Sequence, residues 1–159
     1  MAVVTLTLYL VVINGAPLLA RRLCGPHFGW PLDAHCVMPD GQRLLGESKT
    51  WRGLLAGILA GMLGGPLVGL TWTQGGLFGL VSLLGDALTS FLKRRFGWPP
   101  HHQAPVLDQS LEVLLPLWLY HETLNVNAWH MMTILAAFFL INHWLSPWLY
   151  RIGIRLRPW

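Results

Sequence analysis

A carboxylate inside an apolar run precedes three consecutive cations near the middle of the chain. Asp86 lies in the run, which ends at Lys93, Arg94 and Arg95, and a second carboxylate follows at Asp108. A carboxylate surrounded by hydrocarbon is costly, so it needs a partner or a function. Mg²⁺ prefers one or two carboxylates together with phosphate oxygens. We therefore expect a metal-dependent site for nucleotide phosphates at a membrane surface.

Helical spacing relates the first carboxylate to the cations. Asp86, Ser90 and Lys93 stand at i, i+4 and i+7, so a helix presents them on one face, with Arg94 beside it. A structural alternative is that Lys93 neutralises Asp86 inside the membrane, while Arg94 and Arg95 anchor the helix end. That alternative leaves Asp108 and Gln109 unexplained.

A second polar segment lies between residues 31 and 53. Gly46, Lys49 and Thr50 have residue types found in Walker A loops, but Ser48 replaces the glycine required before the lysine, and no strand precedes the loop. Flexible glycines, cations, a hydroxyl and a helix N-terminus near Lys49 or Thr50 still suit phosphate. The alternative interpretation is a capped, solvated loop that leads into the next helix.

Composition predicts an all-α integral membrane protein. The chain has 159 residues, of which 53% are hydrophobic and 11% charged, whereas soluble domains have about 25% charged residues. A membrane-spanning helix needs roughly 20 apolar residues. We expect one membrane-embedded domain, residues 1–159, whose first apolar run is retained, because its basic pair Arg21-Arg22 follows it. The five predicted spans are 2–20, 53–72, 75–93, 111–126 and 129–150.

The basic residues predict the orientation of these spans. All eleven Lys and Arg residues fall on one side of a five-span arrangement, and the positive-inside rule assigns that side to the cytoplasm. The N-terminus is then outside and the C-terminus cytoplasmic. Because the basic residues report topology, we do not expect nucleic-acid binding.

Small residues and prolines predict how the spans pack. Gly53, Gly57 and Gly61 repeat every four residues, so they share one helical face and favour close helix approach in lipid. Pro66 and Pro116 are expected to kink their spans. We interpret the glycine face as a packing surface.

Two long motifs resemble the CDP-archaeol synthase family, which is related to the CTP:phosphatidate cytidylyltransferases. The first reads D-G-x-R-x-L-G-x-x-K-T-W-R-G over residues 40–53, and the second reads G-D-x-x-x-S-F-x-K-R-R…P-x-L-D-Q over residues 85–109. Asn14, Ala16 and Pro17 also fit. The last third of the chain resembles the family only in hydropathy.

This resemblance implies a reaction and assigns residues to it. Members transfer CMP from CTP to a lipid phosphate and release pyrophosphate, with Mg²⁺. By match, Asp86 and Asp108 are the metal carboxylates, and Lys93 joins them as a catalytic residue. The implied substrate-binding residues are Lys49, Thr50, Arg52, Ser90, Arg94, Arg95 and Gln109, with Asp33 and Asp40 as loop acids of uncertain role.

One departure from the family pattern concerns the metal site. The family has a second carboxylate three residues after the first, where this chain has Leu111 followed by Glu112. Either Glu112 substitutes, or one metal ligand is missing. The expected site faces the cytoplasm at the cell membrane, and assembly as a homodimer stays open. The alternatives are the same chemistry on phosphatidate or another lipid phosphate, a non-catalytic protein that binds lipid head groups, and a small transporter.

Overall fold

The protein is a bundle of helices around one apolar core. The computed structural model describes residues 2–98, 105–151 and 153, and the side chains of residues 105–108 lie outside the described part. The helices are α1 (Ala2–Cys24), α2 (Trp51–Gly64), α3 (Trp72–Arg95), α4 (Pro105–Leu119), α5 (His121–Leu124) and α6 (Ala128–Arg151), and a 3-10 helix (Gly65–Val68) extends α2. This arrangement confirms the predicted all-α membrane architecture.

Four helices are long and apolar enough to cross a membrane: Ala2–Cys24, Trp51–Val68, Trp72–Arg95 and Ala128–Arg151. Large apolar side chains remain exposed along them, for example Leu8, Leu59, Leu77 and Leu140. Water-facing helices would present polar side chains at such positions, so these faces suit lipid. Four of the five predicted spans therefore correspond to helices of sufficient length.

The fifth predicted span, 111–126, has different bounds in the structure. Helix α4 begins at Pro105, six residues earlier, and it ends at Leu119 before the separate turn α5. Pro105 suits a first helical position, because its missing N–H has no partner there in any helix. Asn125, which adopts a left-handed φ of 51°, ends α5. The predicted loop 94–110 was therefore wrong at its end, and Asp108 and Gln109 belong to a helix.

Helices α2 and α3 form a hairpin whose backbones touch. The buried residues of α2 are Gly53, Gly57 and Gly61, which confirms the predicted packing face. A Cβ at Gly61 would collide with the carbonyl group of Gly75, and one at Gly79 would lie 2.7 Å from the carbonyl oxygen of Gly57. In lipid such close packing replaces the hydrophobic driving force that operates in water.

Helix α1 closes the bundle against this hairpin and against α6. Tyr9 is 5% exposed, and its hydroxyl donates a 2.8 Å hydrogen bond to the carbonyl oxygen of Gly61. The ring of Tyr9 packs on Phe78, whose own ring contacts Tyr120. The core therefore joins α1, α2 and α3 to the end of α4. Its remaining fully buried apolar side chains include Leu10, Ile13, Val113, Leu117, Ile134 and Phe138.

The two prolines predicted to kink their spans have different local outcomes. Around Pro66, α2 changes into the 3-10 helix, which ends at Val68 with Gly69 as its C-cap. At Pro116, α4 continues as a helix to Leu119. Because proline has no N–H, the carbonyl of Glu112 loses its i+4 donor, and the hydroxyl of Ser82 on α3 donates to that oxygen at 2.7 Å.

Substitution of Gly61 by alanine should destabilise the bundle, because a methyl group has no room against the backbone of Gly75. Overpacking of this kind costs about 1–3 kcal/mol. The measurement is the thermal unfolding temperature in detergent. Gly15→Ala is the matched control, since a Cβ at Gly15 meets nothing within 4 Å. Equal unfolding temperatures for the two variants would contradict the packing role of Gly61.

Candidate functional site

The basic end of the bundle is built from the loop 25–50 and the ends of three helices. Arg52, in the first turn of α2, donates to the carbonyl oxygens of Gly25 and His27 just after α1. Arg95, at the end of α3, pairs with Asp40 in the loop at 2.6 Å. A Cβ at Gly153, after α6, would lie 3.9 Å from a guanidinium nitrogen of Arg22. The basic residues named above thus lie at one end of the bundle, and the orientation of that end in the membrane stays a prediction.

Asp33 organises the loop from its interior. Its side chain has no exposed surface, and it forms a 2.6 Å ion pair with Arg43. The backbone N–H groups of Leu45 and Gly46 donate to its other oxygen at 3.1 and 3.0 Å, and the N–H of His35 donates at 3.2 Å. A buried charge with four donors is fully compensated. Asp33 therefore fixes the segment that leads to Lys49.

The protonation of Asp33 follows from these contacts. Burial by itself would raise the pKa of Asp33, but the hydrogen bonds from Arg43, Gly46, Leu45 and His35 outweigh it and hold the pKa well below the usual value. A depressed pKa stabilises the folded loop above the unfolded-state value of about 3.9. That stabilisation is lost only as the pH falls through the lower folded-state pKa. At neutral pH the carboxylate is charged and its contribution is complete.

Gly46 occupies a position that other residues would strain. Its φ is +104°, and a Cβ there would lie 2.6 Å from a guanidinium nitrogen of Arg94. Glycine adopts positive φ without steric cost. The close approach places Arg94, from the end of α3, directly against the loop.

Lys49 and Asp86 meet across the chain. The Lys49 ammonium lies 2.5 Å from the Asp86 carboxylate, with 16% and 31% of the two side chains exposed. The loop backbone holds Lys49, whose carbonyl oxygen accepts from the N–H of Leu32 at 2.8 Å. The two motifs that the sequence separates by more than thirty residues therefore supply the two halves of one charged site. The predicted neutralising partner of Asp86, Lys93, is not the residue that forms this ion pair.

A small cavity of about 40 Å³ adjoins this pair. Its wall combines Lys49, Ser48 and Asp86 with apolar groups such as Pro17 and Leu83. This volume has room for roughly three water molecules. The cavity wall therefore offers both charged and apolar groups.

Thr50 and Arg52 have structural contacts. Thr50 is the N-cap of α2, and its hydroxyl accepts from the N–H of Gly53 at 3.2 Å. The predicted helix start near Lys49 or Thr50 is therefore confirmed. Arg52 is held by carbonyl oxygens at the end of α1 and does not line the cavity. Their predicted roles as phosphate contacts stay predictions.

The predicted residues of α3 point to different neighbours. The hydroxyl of Ser90 donates to the carbonyl oxygen of Asp86 at 3.0 Å, back along its own helix. Arg95 also donates to the carbonyl oxygen of Arg43 at 3.1 Å, and its guanidinium lies 5.3 Å from the ring centre of Phe91. Lys93 is half-buried at the same helix end. The helix end therefore presents cations to the loop that carries Lys49.

The second predicted carboxylate belongs to α4. Asp108 lies in the first turns of that helix, with its side chain outside the described residues. Gln109 follows it, and no described residue donates to the buried side-chain oxygen of Gln109. Within the described residues, no three His, Cys, Asp or Glu side chains cluster as a ready-made metal cage.

Two features of this end were missed by sequence reasoning. Asp33 and Asp40 were assigned no definite role, yet they fix Arg43 and Arg95. Asn14 was noted only as a match, yet its side-chain amide donates to Ser82 at 3.0 Å. Contacts between residues distant in sequence leave no periodic pattern in the sequence that could predict them. Only the polar residues standing within apolar runs, Asn14 and Ser82, offered a hint.

Replacement of Asp33 by asparagine should loosen the loop. An amide keeps the shape but breaks the ion pair between Asp33 and Arg43, and breaking a buried pair costs about 3–5 kcal/mol. We expect faster trypsin cleavage after Arg43 and Lys49, measured by mass spectrometry of the detergent-solubilised protein. Glu47→Gln is the control, because Glu47 pairs with the same arginine at 3.4 Å while 88% exposed. Equal cleavage of both variants would contradict the organising role.

Comparison with known proteins places this arrangement in a family. The family model described as CarS-like, CDP-archaeol synthase, matches residues 2–74 and 69–159. CDP-archaeol synthase of Methanopyrus kandleri is 39% identical over 142 residues, covering 82% of this chain and 80% of the relative. That of Aeropyrum pernix is 31% identical over 171 residues, covering 98% and 90%.

A solved structure has the same fold. It is described as an intramembrane enzyme for archaeal membrane lipids biosynthesis. The two chains are 32% identical, the TM-score is 0.75, and the match covers 90% of each chain. Sequence, fold and the family model agree over nearly the whole length, so the chain belongs to the CDP-archaeol synthase family.

Proposed function

We propose that this protein transfers CMP from CTP to a lipid phosphate, giving a CDP-activated lipid and pyrophosphate for phospholipid synthesis. The observation that carries the proposal is the Lys49–Asp86 pair beside a cavity at the basic end of a membrane bundle. The relatives named CDP-archaeol synthase favour an archaeal diether phosphate as acceptor. The same chemistry on phosphatidate is the alternative acceptor.

The residues present fit a Mg²⁺ ion. Mg²⁺ takes one or two protein carboxylates and completes its shell with substrate phosphate oxygens and water. Asp86 would supply one carboxylate, and Asp108 on the neighbouring helix α4 the second. The amide oxygen of Gln109, which accepts from no described residue, is a further hard acceptor. When bound, the ion would supply positive charge that offsets the negative charge of the triphosphate. Lys49 is paired with Asp86 in this structure, and it would be released from that pair toward the phosphates.

The chain's own cations would manage the remaining charge. A lipid phosphate and CTP are both anions, so their approach must be made favourable before the acceptor oxygen attacks the α-phosphorus in line. Lys49, Lys93, Arg94 and Arg95 would lie around the departing pyrophosphate. Positioning and electrostatic stabilisation then provide most of the rate. The attacking phosphate oxygen is already ionised, so no general base is needed.

The cavity implies that substrate binding opens the loop. Ligand pockets have volumes of about 300–1,000 Å³, far above the 40 Å³ beside Asp86. The exposed ion pairs of the loop, such as that of Arg95 with the 41% exposed Asp40, would be replaced by contacts to phosphate.

The positive-inside rule would place this end of the bundle in the cytoplasm, from which CTP would enter. Lipid tails would lie along the apolar faces of the helices.

Glu112 would substitute for the carboxylate that the family has at position 111. In the helix α4, residues 108 and 112 stand at i and i+4 and therefore share a face. A Cβ at Gly85 would lie 2.9 Å from the backbone nitrogen of Glu112. Glu112 therefore lies where α4 crosses α3 at Gly85, the residue that precedes Asp86. Leu111 instead contributes its backbone to this crossing.

The activity is tested by incubating the purified protein with labelled CTP, Mg²⁺ and separate lipid phosphates. We expect labelled CDP-lipid from the diether phosphate, and a loss of at least about 100-fold in Asp86→Asn, since one electrostatic contact is worth that much in many enzymes. Glu122→Gln, at the exposed opposite end of the bundle, should retain activity. A folded protein that binds these lipids but cytidylylates none would instead be a head-group-binding protein.

Removal of the Glu112 carboxylate should raise the Mg²⁺ concentration needed for half-maximal activity, if this carboxylate assists the metal. The measurement is a Mg²⁺ titration of Glu112→Gln at saturating CTP, compared with Glu122→Gln. A carboxylate restored by Leu111→Asp in the Glu112→Gln protein should lower that requirement again. An unchanged Mg²⁺ requirement in Glu112→Gln would show that Asp86 and Asp108 suffice.

A further inference from the structure

We propose that Ser82 is a positioning residue that fixes α4 against α3, and thereby the spacing of the two carboxylate-bearing helices. The part of this inference that concerns activity rests on the proposed cytidylyl transfer. The structural part stands on the contacts of Ser82 alone. No family motif noted in the sequence includes this residue.

Ser82 supplies the hydrogen bond that Pro116 removes. In an α-helix the carbonyl of Glu112 would accept from the N–H of residue 116, but proline has none. Ser82 has no exposed surface, and its hydroxyl donates to this carbonyl oxygen at 2.7 Å. A carbonyl without its usual donor is costly in hydrocarbon. The missing bond within α4 has thus been replaced by a bond between α4 and α3.

Asn14 sets the direction of the Ser82 hydroxyl. The amide of Asn14 donates to the Ser82 oxygen at 3.0 Å and to the carbonyl oxygen of Leu10, also at 3.0 Å. A serine hydroxyl has one proton, and its shortest acceptor is the carbonyl of Glu112. A chain of donors therefore runs from α1 through α3 to α4. It specifies one mutual register of the three helices.

Gly85 extends the contact to the metal-binding end. It stands one turn after Ser82 and directly before Asp86, and a Cβ there would lie 2.5 Å from the carbonyl oxygen of Leu111. The backbones of α3 and α4 are therefore in contact between the Ser82 bond and Asp86. A slip of α4 by part of a turn would move its first turns, which contain Gln109, relative to Asp86. Ser82 therefore acts on the site through α4.

The test is a cycle of the variants Ser82→Ala, Pro116→Ala and the double variant. In Pro116→Ala the new N–H can satisfy the Glu112 carbonyl, so Ser82→Ala should matter much less in that background. Ser82→Thr retains the hydroxyl and serves as the conservative variant. All variants are first compared by their unfolding temperature, so that only folded proteins enter the further measurements.

Helix spacing is measured without activity by spin-label distances between α3 and α4. Labels at the exposed positions Leu88 and Leu119, in a protein whose Cys24 and Cys36 are replaced by serine, should give one narrow distance distribution. We expect Ser82→Ala to broaden or shift it, and the double variant to restore it. An unchanged distribution in Ser82→Ala would overturn the proposal.

Kinetics then separate positioning from simple stability. A displacement of about 1 Å can cost on the order of 100-fold in rate, so Ser82→Ala should lower kcat by at least about tenfold and raise the Mg²⁺ requirement, with Ser82→Thr close to wild type. A changed distance with unchanged kcat and Mg²⁺ requirement would reduce Ser82 to a packing residue and refute its positioning role. If the wild-type protein transfers no CMP while the distances respond, the proposed function fails and the helix register stands.

Discussion

Helix α3 is in backbone contact with two neighbours, and this constraint governs the whole bundle. Gly75 and Gly79 meet the glycines of α2 on one side, and Gly85 meets the backbone of Leu111 in α4 on the other. In lipid, helices gain little from burying apolar side chains, so close packing and interhelical hydrogen bonds must hold them. Because α3 also carries Asp86, the packing that stabilises the fold and the geometry that places the carboxylate are the same set of contacts.

The charged end shows a division of labour among carboxylates. Asp33 is buried and satisfied by donors from its own loop, so it shapes the loop without facing a ligand. Asp86 is partly exposed and pairs with Lys49, which the loop delivers. A buried pair is hard to exchange, whereas a partly exposed pair can be replaced by another cation and another anion. The proposed transfer would require that exchange at Asp86 and a fixed loop around it.

Sequence patterns predicted those features that depend on local spacing. The glycine face of α2 and the helix start at Thr50 follow from periodicity and capping chemistry. The predicted start of α4 was wrong, because the apolar run begins after Gln109 while the helix begins at Pro105. No spacing rule predicts the pairing of Lys49 with Asp86, because one residue lies in a loop and the other in a helix distant in sequence. The family motifs indicated one site, but the contacts between the two motifs could be identified only from the fold.

Two ion pairs of the loop, Arg43–Asp33 and Arg95–Asp40, differ in their response to ionic strength. The Asp33 side chain has no exposed surface and that of Arg43 is 20% exposed, whereas Asp40 is 41% exposed beside Arg95. Exposed charges are screened over a Debye length of about 8 Å in physiological salt, and over less as salt increases. A concentrated electrolyte would thus loosen the outer tip while the inner segment around Gly46 and Lys49 keeps its shape. A solution rich in salt would hold Arg95 closer to release than a dilute one.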